Sequence, residues 1–407
     1  MSQTDTPQDR AKAKGWPDGL LDRALAIRTP NHELQGWLQA EPNPNFFFHV
    51  QKTIEVFERL AAGPYRGREL TFWDEESFGD LWANSPEKVG DDWSVTVERS
   101  PNALAQFSLQ PGATISVIEK AHVLVACTVW AQANCLIGGK PVSIHYAQGL
   151  RVRDGMRGEG LGDLVRRLPS PALRKPSIGQ VMFMRIGNAN MAGFLEAVKF
   201  QAESDRPQKV VGVTYLTARR SEPPAGLRPV AEVDLAACAA LINRTHAGLD
   251  LFAPYSADRL KLVLDEGYWG DRAPWRPSVY GWADFFVLEE DGRIVACAGF
   301  WDRGRGMREV WRSASGEERR VEVAAALDLG CAEGCEAALA CLIRNLASLA
   351  AEKGRQSLIV DLEHLPAVKA ALDDLEPRME SRTLEWSPYA PSLPPTLGEC
   401  FLDLRYW

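Results

Sequence analysis

The stretch Leu150-Arg151-Val152-Arg153-Asp154-Gly155-Met156-Arg157-Gly158-Glu159-Gly160-Leu161-Gly162-Asp163-Leu164-Val165-Arg166-Arg167-Leu168 constrains this chain more than any other. Leu150 and Val152 alternate as in a strand, three glycines follow, and Leu161, Leu164, Val165 and Leu168 then recur at i, i+3, i+4 and i+7 as one apolar helix face. Pro169 and Pro171 stop that helix early. Glycine lets a main chain turn tightly and approach an anion with no Cβ in the way. A helix start offers unpaired N–H groups and the positive end of its dipole. Strand, glycine turn and helix in immediate succession therefore predict a phosphate-binding turn.

Two common glycine loops fail on spelling. A P-loop ends in Gly-Lys-Ser/Thr, whereas Gly162 precedes Asp163 and Leu164. The dinucleotide fingerprint spaces its glycines unevenly, whereas Gly158, Gly160 and Gly162 simply alternate. What remains, Arg157-x-x-Gly160-x-Gly162 behind a strand, resembles the pyrophosphate-binding motif of the GNAT superfamily of CoA-dependent N-acetyltransferases, Gln/Arg-x-x-Gly-x-Gly/Ala. Further on, Val181 to Ile186 has the apolar run of a buried strand, followed by Gly187, Asn188 and a helical stretch ending in Lys199-Phe200. This resembles the family's second CoA-side element, in which an Asn opens a helix that finishes with Gly-Phe. Two departures stand out: Lys199 replaces the usual Gly, and Leu195 occupies the place where many members carry a Tyr that protonates the leaving thiolate. The resemblance implies acetyl-CoA as co-substrate, held by Leu150, Val152, Arg157, Gly158, Glu159, Gly160, Leu161, Gly162 and Asn188.

Bulk properties bound the rest. At 407 residues the chain exceeds what one hydrophobic core usually supports, so two domains are expected. No run of about 18 apolar residues predicts a membrane span. Met1 to Lys14 is polar without an apolar signal core, and the eight cysteines are scattered, several within apolar runs (Cys127, Cys297, Cys341), so a cytoplasmic protein with reduced thiols is expected. Cys331 and Cys335 depart from zinc-knuckle spacing and have no His nearby, so no metal is expected. A formal net charge of −8 argues against a nucleic-acid partner. Between Arg151 and Lys175 the sign reverses: Arg151, Arg153, Arg157, Arg166, Arg167, Arg174 and Lys175 face only Asp154, Glu159 and Asp163. Arginine suits phosphate through paired donors.

Along the chain, residues 1–67 form an extension, partly helical and partly disordered, with no function assigned. A first GNAT domain is expected over 68–221. Leu70 and Phe72 alternate, Asp74 to Trp82 is helical, Ile115 to Glu119 and Val123 to Trp130 are antiparallel strands, and Gly138-Gly139 turns the chain into Val142 to Val152. Glu222-Pro223-Pro224-Ala225-Gly226 is a linker, after which Leu227 to Val230 and Asp234 start over. Asp291-Gly292 predicts a hairpin within Phe285 to Cys297, Leu339 to Leu349 a long amphipathic helix, and Ser357 to Leu362 a strand. This second copy, 222–407, has a degraded turn: Cys331 stands at the Arg/Gln position, Gly334 is kept, and Glu336 replaces the second small residue. A carboxylate there repels pyrophosphate. The expected fold is thus α/β (α+β), two tandem GNAT-like domains, each a mixed, mostly antiparallel sheet flanked by helices, with only the first binding CoA.

The chemistry implied by the resemblance is attack of a neutral amine on the acetyl thioester, with a small-molecule or peptide amine as acceptor. The acidic balance mildly favours a cationic one, and homodimerisation is left open. His145 and Glu119 are candidate bases on central strands, and Tyr146 is a candidate proton donor in place of Leu195. Main-chain N–H groups near Gly149 to Val152 are candidate oxyanion donors. A carboxylate after Trp407 ranks third as base. The competing expectation is a protein that binds acyl-CoA but catalyses little, a sensor or scaffold.

Overall fold

The computed structural model describes residues 6–13, 15–26, 44–99, 103–168, 179–185, 208–265, 279–388, 394 and 396–407. Its helices are α1 (Pro7–Ala13), α2 (Leu20–Ala26), α3 (Pro44–Ala62), α4 (Glu75–Ala83), α5 (Leu161–Arg166), α6 (Leu235–Thr245), α7 (Ala257–Asp265), α8 (Glu336–Glu352) and α9 (Pro366–Ala371). The strands are β1 (Tyr65–Glu69), β2 (Glu87–Val89), β3 (Trp93–Arg99), β4 (Thr114–Lys120), β5 (Val123–Ile137), β6 (Lys140–Val152), β7 (Gly179–Arg185) and β8 (Gln208–Thr217). They continue as β9 (Leu227–Pro229), β10 (Phe285–Glu290), β11 (Arg293–Trp301), β12 (Met307–Ser313), β13 (Glu318–Val321), β14 (Val323–Cys331), β15 (Ser357–Val360) and β16 (Arg378–Pro388). Among the described residues no helix is long and apolar enough to cross a membrane.

Local chemistry explains the best-formed elements. Gly138 and Gly139, both at positive φ, make the two-residue turn between β5 and β6, and Asp291 and Gly292 do the same between β10 and β11. Along β5, Cys127, Val129, Ala131, Ala133 and Cys135 point alternately to one core. In α8, Leu339, Leu342, Ile343 and Leu346 are completely buried, and Gly354 at φ +73° lies just beyond the helix end.

The strands form one twelve-stranded sheet in the order β1-β4-β5-β6-β7-β16-β8-β15-β14-β11-β10-β9. Read from either end, this is the same succession: a short edge strand, three antiparallel strands, a parallel step, then the centre. The parallel steps are β6 to β7 and β14 to β15. At the centre the halves exchange strands. β16, from late in the chain, lies between β7 and β8, while β8 lies between β16 and β15. The boundary expected at 221/222 falls between β8 and β9, yet β8 takes both its neighbours from beyond it. A second sheet, β13-β12-β3-β2, joins the halves again through β3 and β12.

One sheet face carries a core common to both halves, packed by α4, α6 and α7 and including Trp386 of β16. The opposite face is covered separately. Val56 and Leu60 of α3 and the apolar side of α5 cover the first half, while α8 and α9 cover the second. The extension thus supplies a helix that packs beside the glycine turn.

The likeness of the two ends of the sheet reaches individual side chains. Arg68 donates to Asp74 (2.7 Å) and to Glu119 (3.0 Å), and Asp74 accepts from the Thr71 N–H. In the second half Arg228 donates to Asp234 (2.6 Å) and Glu289 (3.2 Å), and Asp234 accepts from the Ala231 N–H. Each network ties an edge strand to its neighbour and to the start of a helix.

Candidate functional site

Behind β6, Arg157 donates to the Pro86 carbonyl, holding the turn against the loop after α4. Gly158 and Gly160 both have positive φ, +87° and +71°, and α5 starts from Gly160. Gly162 differs. It lies inside α5, where an added Cβ would meet Val152 at an ordinary 3.6 Å. At Gly160 a Cβ would come within 2.7 Å of the Arg59 guanidinium, which reaches from α3 and donates to the Glu159 carbonyl. Tyr65 of β1 donates to the Glu159 carboxylate. The main chain is thus open at Gly158, where an added Cβ would meet nothing within 4 Å, and Arg59 closes over Gly160.

The strand that leads into the turn, β6, parts from β7. Pairing between β6 and β7 runs from Ile144↔Gly179 to Ala147↔Met182 and stops, although both strands continue. In the pairing of β6 with β5, the register shifts between Cys127↔Arg151 and Val129↔Gln148, so Gly149 and Leu150 together oppose Thr128. Gly149 sits there at φ +60°, with Trp82 so close that a Cβ would meet its ring at 3.0 Å. Trp82 is flanked by two guanidiniums, Arg99 at 4.0 Å and Arg151 at 4.2 Å. Here a cavity of about 120 Å³ opens, lined by Gln148 to Arg151, Met182, Arg303 and, from the far end of the sequence, Tyr406 and Trp407.

No protein-family model and no curated protein matches the sequence. Solved structures do resemble it. The N-myristoyltransferase of Saccharomyces cerevisiae, in a structure with bound myristoyl-CoA, superposes with a TM-score of 0.53 at 12% identity, covering 80% of this chain and 82% of that one. The chain has the GNAT fold. A second structure of the yeast enzyme, with myristoyl-CoA and inhibitors, gives the same TM-score of 0.53 at 11% identity over 80% of each chain. A GCN5-related N-acetyltransferase from Sphaerobacter thermophilus is similar at a TM-score of 0.47 and 13% identity, covering 84% of this chain and 99% of that one.

Within this GNAT fold the expected site residues separate. Leu150 lines the cavity, and Val152, Arg157 to Gly160, Leu161 and Gly162 continue directly from it into the turn and α5. Asn188, Leu195, Lys199 and Phe200 lie outside the described residues. Glu119 is in the network with Arg68, has Arg66 at 3.5 Å, and does not line the cavity. His145 is 2% exposed, opposite Gln132 of β5, and also does not line it. Tyr146 is buried with its ring stacked on Tyr406, centroids 4.0 Å apart, and burial pushes its phenol well above its ordinary value. Trp407 does border the cavity, and its main-chain oxygen accepts from Arg303 at 3.0 Å. Arg59, Arg99, Arg303 and Arg382 belong to no motif and read in sequence as ordinary surface charge; the fold buries Arg99 and Arg303 and brings Arg59 to the glycine turn.

The second half has the corresponding splay, with β14–β15 pairing stopping at Ala325↔Ile359. Its cleft is filled by the chain itself. Leu402 donates its N–H to Asp361 (2.9 Å), and Arg405 ion-pairs with buried Asp328, which also accepts from Tyr255 and Tyr280. Nearby, His246 and His364 are hydrogen-bonded at 2.9 Å, and the His364 ring stands 3.8 Å from Asp361. Burial pushes Asp361 up to about 7 and pulls His364 down to about 4. Beyond this plug the same segment continues to Tyr406 and Trp407 at the first cleft. Cys331 ends β14, and Gly334 at φ +75° leads into α8 at Glu336, so strand, glycine and helix start follow one another here as well. Among the described residues no group of three or more His, Cys, Asp and Glu is placed to hold a metal ion.

Proposed function

We propose that this chain transfers an acyl group from acyl-CoA to an amine, with the CoA pyrophosphate at Gly158 to Gly162 and the thioester beside Gln148 to Leu150. The observation that carries the reading is the asymmetry of the two clefts: the first is open along β6, the strand that leads into the glycine turn, while the second is plugged by residues 401–405 and its strand leads to Glu336. Main-chain N–H groups around Gly149, where the strand bulges, are the candidate donors to the tetrahedral oxyanion. Of the proton acceptors the sequence offers, the main-chain end at Trp407 borders the cavity and the side chains of His145 and Glu119 do not, which reverses their order. A thiol ordinarily ionises near ~8.5 and leaves without a strong acid, so Tyr146 is not required to donate.

The test combines calorimetry with thiol release. One acetyl-CoA site per chain and release of CoA with an amine panel are expected. His145→Ala and Glu119→Gln should keep kcat/KM within about threefold, whereas a short extension after Trp407 should lower it by at least the ~10² typical of a lost proton-transfer group. Tight binding with no thiol release from any amine would favour the sensor reading. Two sites per chain, surviving Gly160→Val, would overturn the assignment of the cleft.

A further inference from the structure

The cavity between the halves is unusually cationic. Arg99, Arg151, Arg166, Arg303 and Arg382 line it, against the carboxylates of Glu87 and Glu309. Three of the five have acidic neighbours: Arg151 pairs with Glu87, Arg166 stands 3.4 Å from Asp163, and Arg382 stands 3.5 Å from Glu380. Arg99 has no such pair, and Arg303 has only the more distant field of Glu309 and Glu380 and the main-chain end at Trp407. Each is only 7% exposed. Arg99 has Gln106 Oε1 at 2.8 Å and the Trp82 and Phe107 rings beneath it, and Arg303 has one main-chain oxygen of Trp407 at 3.0 Å, the group that the acyl-transfer reading uses as base, so Arg99 is the less compensated of the two. The Nε of each is buried without a hydrogen-bond partner.

A buried guanidinium without a counter-charge is costly, and its cost is relieved by an anion brought into the same space. The titration of the two groups agrees. Burial, aided by neighbouring Arg151, pulls Arg99 down to about 9, and burial also pulls Arg303 down to about 10. They come from opposite halves, Arg99 from the end of β3 and Arg303 from just after β11, and they meet where the main chain of β6 bulges beside Gly149. Planar guanidiniums match a carboxylate through paired N–H donors.

We propose that this cavity recognises a carboxylate carried by a reactant, with Arg99 and Arg303 as its holders, so that the acceptor is an amine bearing its own acid group, as in an amino acid. The assignment of the reactants rests on the acyl-transfer reading; the carboxylate site itself does not. It also sets aside the cationic acceptor that the overall charge of −8 favours, because the local field at the reacting centre has the opposite sign. A carboxylate at the end of a dicarboxylic acyl group would meet the same two arginines, and the experiment separates the two sources.

Thiol release is measured with acetyl-CoA and glycine or glycinamide, rates being expressed per unprotonated amine, and with succinyl-CoA against acetyl-CoA on glycinamide. Binding of N-acetylglycine and N-acetylglycinamide is measured by calorimetry in the presence of CoA. Glycine should exceed glycinamide in kcat/KM by on the order of 100-fold, since rejecting the amide reflects cations left unpaired, and N-acetylglycine should bind while its amide does not. Arg99→Met and Arg303→Met should each collapse both ratios toward one, and Arg99→Lys should restore part of them; acetyl-CoA binding by the same samples shows that they are folded. A preference for succinyl-CoA with no glycine preference would move the carboxylate to the acyl group and overturn the acceptor assignment. Equal binding of acid and amide by the unaltered protein would overturn the proposal without any variant. Arginine-dependent binding of N-acetylglycine with no turnover of any amine would uphold the carboxylate site and overturn acyl transfer instead.

Discussion

Gly158, Gly160 and Gly162 are indistinguishable as letters, and the structure gives them different parts. The first two hold main-chain angles that side chains rarely adopt; Gly162 is an ordinary helical residue with room for a methyl group. Gly160→Val should therefore weaken acetyl-CoA binding at least tenfold by calorimetry, while Gly162→Ala should change it by less than about threefold, near 0.6 kcal/mol. The buried ion pair of Asp328 with Arg405 gives a second expectation. Asp328→Asn leaves Arg405 without its deep partner and should lower unfolding free energy by about 3–5 kcal/mol in denaturant titration. A third concerns pH. His364 titrates near 4 instead of its ordinary 6.5, so its neutral form contributes stability fully above pH 6.5 that drains away as pH falls toward 4. Relative to His364→Gln, the unaltered protein should lose on the order of 3 kcal/mol across that window, measured by denaturant titration at pH 7 and pH 4. The glycines were legible because a motif has fixed spacing. Arg99, with neighbours scattered from Trp82 to Gln106, has none.

At the scale of elements, alternation and turn chemistry made β4, β5, β6, β10, β11 and α8 readable, since each has either a two-residue turn or a full apolar face. β16 was not. Its sequence, Arg378-Met379-Glu380-Ser381-Arg382-Thr383-Leu384-Glu385-Trp386-Ser387-Pro388, carries four charges, yet it pairs on both sides in the middle of the sheet. Arg382 lies over the Trp407 ring at 4.1 Å and Glu385 is 2% exposed, so these polar groups face a cavity and an interior that local pattern cannot reveal. The extension was equally opaque. Helix α3 packs Val56 and Leu60 against α5 and sends Arg59 to the glycine turn. Arg59→Ala should weaken acetyl-CoA about tenfold, near 1.4 kcal/mol, with a loss that shrinks as salt is raised. Equal affinity for both proteins at low salt would show that α3 only covers the sheet.

Over the whole molecule, the exchange of β8 and β16 makes cooperativity the expectation. Residues 1–221 alone would lack the strand between β7 and β8, and residues 222–407 alone would lack the strand beside β15. Calorimetric unfolding should show one transition, and the two pieces should be poorly folded apart and recover acetyl-CoA binding only when produced together. Two separate transitions would contradict this. The interlock also bears on how such a chain can change over generations. Once each half has lent the other a central strand, a truncation that discards the second half takes a strand out of the half with the intact turn. Selection acting on that turn alone is then enough to keep the later half folded, whatever stands at Cys331 and Glu336. The later half is part of its neighbour's frame.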